Sequence, residues 1–509
     1  MNHIAIAPIL VPLITGALLL LLERRHRAST LRLWAWLGMA VLLAVSVALL
    51  LQVEREEMLV YLLGDWPARL GIALMVDRLS AMMVMTTTLL AIPCLLYACA
   101  GWDKRALHFH ALFQVQLAGL NGSFLTGDLF NLFVFFEVML IASYGLLLSG
   151  ARGARIKAGM HYVVFNIAAS TVFLLALGLL YGLLGTLNMA ELAVRVAQVP
   201  PETAPLVRAG AGLLLLVFCA KAALLPLYLW LPEAYARAPA AVAALFTIMT
   251  KVGLYAILRV FTLVFGADAG LLADLAWPWL LPAGAATMVL AALGVVGAPR
   301  LRIGVAYLVL LSAGMLFVAF ALANRGAISA GLYYLPHSVF VTAALFLLAD
   351  IIQRHRGSTG DYLMPIASMP GKTVPALLFL VAAISVTGLP PLSGFIGKLQ
   401  LLNSVPESVI GWVWAAILVS SLMAIIGLSR SGTRLFWRVD PVPEGTAPMP
   451  LRRSEIAATM LLLGYGVAMT LFAGPLLRYT DATAAQLLDT GATVERVGGT
   501  TPLIREPSR

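Results

Sequence analysis

The sequence predicts an all-α polytopic membrane protein of about fourteen transmembrane helices, with two inverted five-helix repeats that each contain a discontinuous helix. Three observations predict it. Of 509 residues, 61% are hydrophobic and only 11% charged, too little polar surface for a soluble chain of this size. The apolar residues gather into runs near the ~20 residues that one helical crossing needs. Two of these runs are interrupted by Pro and Gly beside a lysine, and they lie five runs apart.

The candidate spans fall near 4–22, 31–51, 78–101, 108–126, 129–149, 158–184, 208–231, 239–265, 273–296, 302–323, 329–352, 374–404, 409–429 and 456–477. Residues 1–107 hold the first three spans, with an external hairpin at 58–77, where a turn separates two strand-like runs. Residues 108–265 form the first five-helix unit and 273–430 the second. Residues 431–509 supply a cytoplasmic loop, the last helix and an external C-terminal tail. The segment 189–199 reads as a short amphipathic helix lying on the membrane. An odd number of spans per unit forces the second unit to be inverted.

Charge placement sets orientation. Of 34 Lys and Arg, twenty lie in loops on the side of residues 23–32 and six in the opposite loops. Basic loops stay cytoplasmic, so both termini are placed outside. The net charge of +10 therefore reports topology. Nucleic acid is excluded as a partner, because no basic run is interleaved with aromatics. Cys94, Cys99 and Cys219 sit in apolar runs, which points to helix packing and away from disulfides or a Cys-based zinc site.

Five ionisable residues remain inside spans: Glu137, Lys221, Lys251, Arg259 and Lys398. Each costs roughly 2.5–3.5 kcal/mol at a helix centre, so each needs a partner or water. Lysine is the informative type. Apolar burial disfavours its charged form and a carboxylate favours it, so a lysine held between the two can load and release a proton. Arginine cannot, and Arg259, near the outer end of its span, is placed to snorkel. His337 follows Pro336 and is a relay candidate, whereas His161 reads equally well as packing. Asp128 and Asp350, at span ends, read as solvated. No catalytic, metal or phosphate-binding motif occurs, and no cofactor is implied.

Pro226 and Pro232 interrupt the helix just beyond Lys221, and Gly388, Pro390, Pro391 and Gly394 interrupt another just before Lys398. Prolines free backbone carbonyls, which at membrane depth line a cavity or pack on protein. The lysine precedes one break and follows the other, so the units share a plan without aligned residues.

The stretches NLFVFFEVMLIASYGL, KAALLPLYLWLPEAYARAPAAVAALFTIMTKVGLYAILRVF and TGLPPLSGFIGKLQLL resemble the antiporter-like membrane subunits of respiratory complex I and of Mrp-type (Pha, Mnh) multi-subunit cation/proton antiporters. The resemblance covers nearly the whole chain and implies fourteen helices with two inverted repeats. It implies that Glu137 and Lys221 are a coupled pair, that Lys251 and His337 relay protons, and that Lys398 is the terminal lysine. Tyr228 and Tyr235 stand where complex I relatives usually carry histidines, which looks like the D-type subunit of the Mrp antiporters. His161 stands where relatives often carry lysine. The implied function is proton translocation in a hetero-oligomeric Na⁺(K⁺)/H⁺ antiporter of a bacterial inner membrane. The partners would be other membrane subunits, lipid, protons and monovalent cations (Na⁺, K⁺ or Li⁺). The alternative is a proton-pumping membrane subunit of a complex I or hydrogenase-type redox complex, and a static helix scaffold is a third reading.

Overall fold

In lipid the backbone has only itself to bond to, so apolar runs become helices. The computed structural model describes residues 3–23, 27–56, 58–67, 71–151, 153–357, 360–364, 371–437 and 451–500. Most of the predicted cytoplasmic loop after 430 and the end of the predicted tail lie outside the described residues.

Among the described residues, twenty α-helices follow in order. The first six are α1 (Ala7–Glu23), α2 (Ala28–Glu56), α3 (Arg78–Ala98), α4 (Phe109–Leu125), α5 (Leu129–Leu148) and α6 (Ala154–Leu184). Then come α7 (Met189–Ala197), α8 (Ala204–Lys221), α9 (Trp230–Arg237), α10 (Ala240–Phe246) and α11 (Met249–Leu263). The second half holds α12 (Trp277–Gly297), α13 (Leu301–Ala321), α14 (Arg325–His355), α15 (Thr373–Thr387), α16 (Ser393–Asn403) and α17 (Ile410–Gly432). The chain continues with α18 (Arg453–Leu471), α19 (Ala473–Leu488) and α20 (Thr490–Gly498), so the predicted tail is helical as far as it is described.

Among the described residues, eleven helices are long and apolar enough to cross a membrane, counting α10 and α11 as one. The other three predicted spans fall on α1 and α4, of 17 residues each, and on the α15–α16 pair. Packing sorts inner from outer. The best apolar window of α10–α11 is wholly buried, and that of α14 is 89% buried, against 28% for α2 and for α17. The outer helices keep Leu21, Leu51, Leu422 and similar side chains exposed, which suits a lipid or subunit contact.

The expected hairpin forms, with β1 (Leu59–Leu62) antiparallel to β2 (Ala73–Val76), but it is not a surface element. Every β2 residue is buried, and Leu74 bridges Thr126 at the end of α4. The reason is composition: β2 is apolar on both faces and packs like an interior strand. Polar side chains fix where the inner helices begin. Asp77 caps α3, Asp128 caps α5, Asn188 caps α7 and Asn324 caps α14.

Candidate functional site

The first cluster lies where α5, α6 and α8 meet. Lys221 is the last residue of α8 and only 5% exposed. Its ammonium donates to Ser170 Oγ at 3.1 Å and to Asn166 Oδ1 and O at 3.4 Å. Ser170 in turn donates a short hydrogen bond to Glu137 Oε1. Glu137 and Lys221 are therefore joined through one hydroxyl rather than by direct contact. Asn166 and Ser170 stand four residues apart on α6, one above the other on the same face.

Lysine ends the helix here for a local reason. Residues 222–229 leave helical geometry around Pro226, and α9 resumes at Trp230. Two of the backbone groups at the break find side-chain partners. The Trp230 indole donates to the Ala220 carbonyl at 3.1 Å, and the Leu225 N–H donates to Thr287 Oγ1 at 3.0 Å. Pro232 is not part of the break. It lies in the first turn of α9, where the missing N–H has no helical acceptor to lose.

Lys251 has no charged partner among the described residues. It is fully buried on α11 and donates to Ser312 Oγ on α13 at 2.7 Å. Just before it, Thr247 and Ile248 separate α10 from α11, a discontinuity that the sequence did not announce. The Tyr235 hydroxyl donates to the Phe246 carbonyl there at 2.8 Å. Tyr228 is only half-buried and packs against the core.

The second break, residues 388–392, separates α15 from α16 and holds Pro390 and Pro391. Lys398, one turn into α16, folds back over it and donates to the Thr387 carbonyl at 2.6 Å and to Ser421 Oγ on α17 at 2.9 Å. The turn needs glycine. Gly388 has φ +77°, and a Cβ there would lie 2.6 Å from Lys398 Cδ. His337, wholly buried on α14, bonds through Nδ1 to Ser393 Oγ at 2.8 Å, at the far end of the same break. Gly394 lets α16 approach, since a Cβ there would sit 2.7 Å from His337 Nε2.

All five predicted relay residues thus rest on serine hydroxyls: Ser170 serves Glu137 and Lys221, Ser312 Lys251, Ser393 His337 and Ser421 Lys398. Sequence reasoning missed these serines and Asn166. The available signal was the spacing of Asn166 and Ser170, one turn apart on the span that carries His161.

Other expectations need correction. Arg259 does not snorkel: it is 3% exposed and makes a two-pronged pair with Asp77 at 2.5 and 2.7 Å. A guanidinium matched by a carboxylate on the α3 cap has no reason to reach for the membrane surface. His161 is exposed on the outer face of α6, on the same side as Met160 and Val164, away from the buried cluster. Asp350 is not simply solvated; it accepts from Tyr97 at 2.8 Å, Arg354 at 3.0 Å and Arg302 at 3.1 Å. Asp128 is occupied in capping α5, accepting from the Asn131 N–H at 2.8 Å.

Cys99 does come together with Asp103 and His110, their donor atoms within 4.8 Å of one another. Both Asp103 oxygens are committed, however, to Arg32 at 2.6 and 2.8 Å and to His110 at 3.2 Å. That is an ion-pair arrangement rather than a ligand set. Burial opposes ionisation of Asp103, but the hydrogen bonds from His110 and Arg32 outweigh it and hold the carboxyl below the usual aspartate range.

Residues 126–424 match a family described as "NADH:quinone oxidoreductase/Mrp antiporter, TM". The chain is 39% identical to the D-type subunit of a probable K⁺/H⁺ antiporter of Rhizobium meliloti (strain 1021), covering 98% of each chain. It is 35% identical to the D-type subunit of a Na⁺/H⁺ antiporter of Alkalihalophilus pseudofirmus, covering 98% of this chain and 99% of that one. Among solved structures it resembles a chain of the Mrp complex from Dietzia sp. DQ12-45-1b, with a TM-score of 0.87, 27% identity, and coverage of 98% and 100%. It also resembles a chain of respiratory complex I from Thermus thermophilus, with a TM-score of 0.77, 25% identity, and coverage of 95% and 99%.

Proposed function

The chain belongs to the NADH:quinone oxidoreductase/Mrp antiporter family of membrane subunits, and from that premise we propose that it is the proton-translocating subunit of a hetero-oligomeric Na⁺(K⁺)/H⁺ antiporter. The observation that carries this reading is the Ser170 hydroxyl, which accepts from Lys221 and donates to Glu137. A hydroxyl so placed passes a proton without moving an ion. As the Lys221 ammonium gives a proton to Ser170 Oγ, the hydroxyl's own proton leaves for Glu137. Both partners end neutral, and the cost of two charges in the membrane falls away. Lys251, His337 and Lys398 continue the line, each held by its own serine. The chain is a transporter subunit and performs no chemistry beyond proton transfer.

The architecture follows the same reading. Fourteen crossings result when α1, α4 and the α15–α16 pair are added to the eleven long helices. Residues 108–265 and 273–430 are then two inverted five-helix repeats, each with its broken helix, in a bacterial inner membrane with both termini outside. Residues 1–107 and 431–509 flank them. The relatives named as subunits support further membrane subunits as partners and Na⁺ or K⁺ as the exchanged cation, with Li⁺ a third candidate.

The deciding experiment uses the assembled complex in vesicles. Glu137→Ala and Lys221→Ala should each bring cation-driven proton movement below about a tenth of wild type, while the subunits still co-purify. If the variants fail to assemble, the buried charges hold helices together and the scaffold reading replaces this one. Co-purification of the wild-type chain with iron–sulfur or flavin proteins would assign it to a redox complex instead.

A further inference from the structure

Away from the lysine line, a cavity of about 410 Å³ opens among the ends of α3, α6, α10, α13, α14 and α18. All are ends that the charge count places on the basic side. Five arginines line it, Arg105, Arg155, Arg302, Arg354 and Arg452, against two carboxylates, Asp350 and Glu455. The carboxylates are already in use. Asp350 serves Arg302 and Arg354, and Glu455 serves Arg354 at 2.7 Å and Arg452 at 3.6 Å. Arg105 and Arg155 have no carboxylate partner among the described residues. Arg155 spends one N–H on the Arg237 carbonyl at 3.0 Å and lies over the Trp102 ring at 5.5 Å.

Three buried groups on this wall have no hydrogen-bond partner among the described residues: Trp102 Nε1, Arg155 Nη1 and Arg302 Nε. Arg302 is itself only 9% exposed. A buried donor left unmet is destabilising, and three on residues lining one cavity are a pattern that a single bound acceptor can complete. All three are donors, so that partner is an acceptor. The surplus of arginine makes it an anion, and forked guanidinium groups suit the oxygens of a phosphate. Neutral water would satisfy N–H groups but leave the charge surplus standing. None of Glu137, Lys221, Lys251, His337 or Lys398 lines the cavity.

We propose that this cavity is a binding site for a phosphate group, carried either by an anionic phospholipid headgroup of the cytoplasmic leaflet or by a soluble phosphate. Two variants probe it without touching the relay. Arg155→Gln removes an unpaired charge with its free N–H, and Trp102→Phe removes one N–H and keeps an aromatic ring. The delipidated complex in detergent is titrated with inorganic phosphate at ionic strength held constant with chloride, and its thermal midpoint is followed. Wild type should show a saturable rise. The apparent affinity should weaken at least about tenfold in Arg155→Gln and about threefold in Trp102→Phe. In parallel, complex from vesicles of phosphatidylglycerol and phosphatidylcholine is re-extracted and its retained lipid identified by native mass spectrometry. A phosphate response without retained lipid assigns the soluble source. Phosphatidylglycerol retained by wild type and lost from Arg155→Gln assigns the lipid. If neither ligand distinguishes wild type from the variants, the proposal is overturned. Should Arg155→Gln not assemble, Trp102→Phe decides by the same two readouts.

Discussion

The two broken helices solve one problem in opposite ways. At the first break the lysine stands before the interruption, as the last residue of α8, and a tryptophan on the far side donates to the Ala220 carbonyl, which also accepts from the Ala223 N–H. Lys221 faces Ser170 and, through it, Glu137. At the second break the lysine comes after the interruption and meets the exposed carbonyl of Thr387 itself. Its other partner is a serine, and no carboxylate pairs with it among the described residues. One lysine is tied to an acid and the other to neutral oxygens. The two lysines therefore sit in different charge environments, although each stands beside a broken helix.

The largest effect that would break this comparison is at Lys398. Lys398→Ala should abolish coupled proton movement in vesicles, as Lys221→Ala should. Lys398→Arg should keep the charge yet leave activity below about a tenth, because arginine does not release its proton. Wild-type transport in the arginine variant would take Lys398 out of the proton path. A smaller effect sharpens the difference. Ser170→Ala removes the hydroxyl that joins Lys221 to Glu137 and should slow transport about tenfold. Ser421→Ala leaves Lys398 its Thr387 carbonyl and should slow it only about threefold, toward the low end of what one hydrogen bond contributes. Equal losses in the two serine variants would mean that the breaks work alike. The smallest effect lies outside both breaks and calibrates them. Asp103 has a lowered pKa in the folded chain, so its pairing with Arg32 and His110 stabilises fully above the ordinary aspartate value of about 3.9. That contribution fades as the pH falls below it. Thermal midpoints measured between pH 6 and about 3 should therefore fall less steeply for Asp103→Asn than for wild type.

The sequence made the helices and both breaks legible because proline, glycine and buried charge act locally. Each of the five proposed relay residues could be picked out, since an ionisable side chain in an apolar run needs no partner to be noticed. Partners were another matter. Arg259 looked free to snorkel because its carboxylate, Asp77, lies 182 positions earlier. Ser170 was overlooked because a serine in a span is commonplace, and only the packing of α5, α6 and α8 gives this one two charged neighbours. Pro232 shows the reverse limit: the same residue breaks a helix in its middle and starts one in its first turn, and the register decides which.

Ser170 carries a single hydrogen. Once that hydrogen has gone to Glu137 and another has arrived from Lys221, the hydroxyl points back along the way the proton came. It must swing round before it serves again. On the proposed path the link would act as a turnstile, admitting one proton and then waiting to be reset. Anything that hinders rotation of the hydroxyl about its Cβ–Oγ bond would leave the first crossing intact and stall the second.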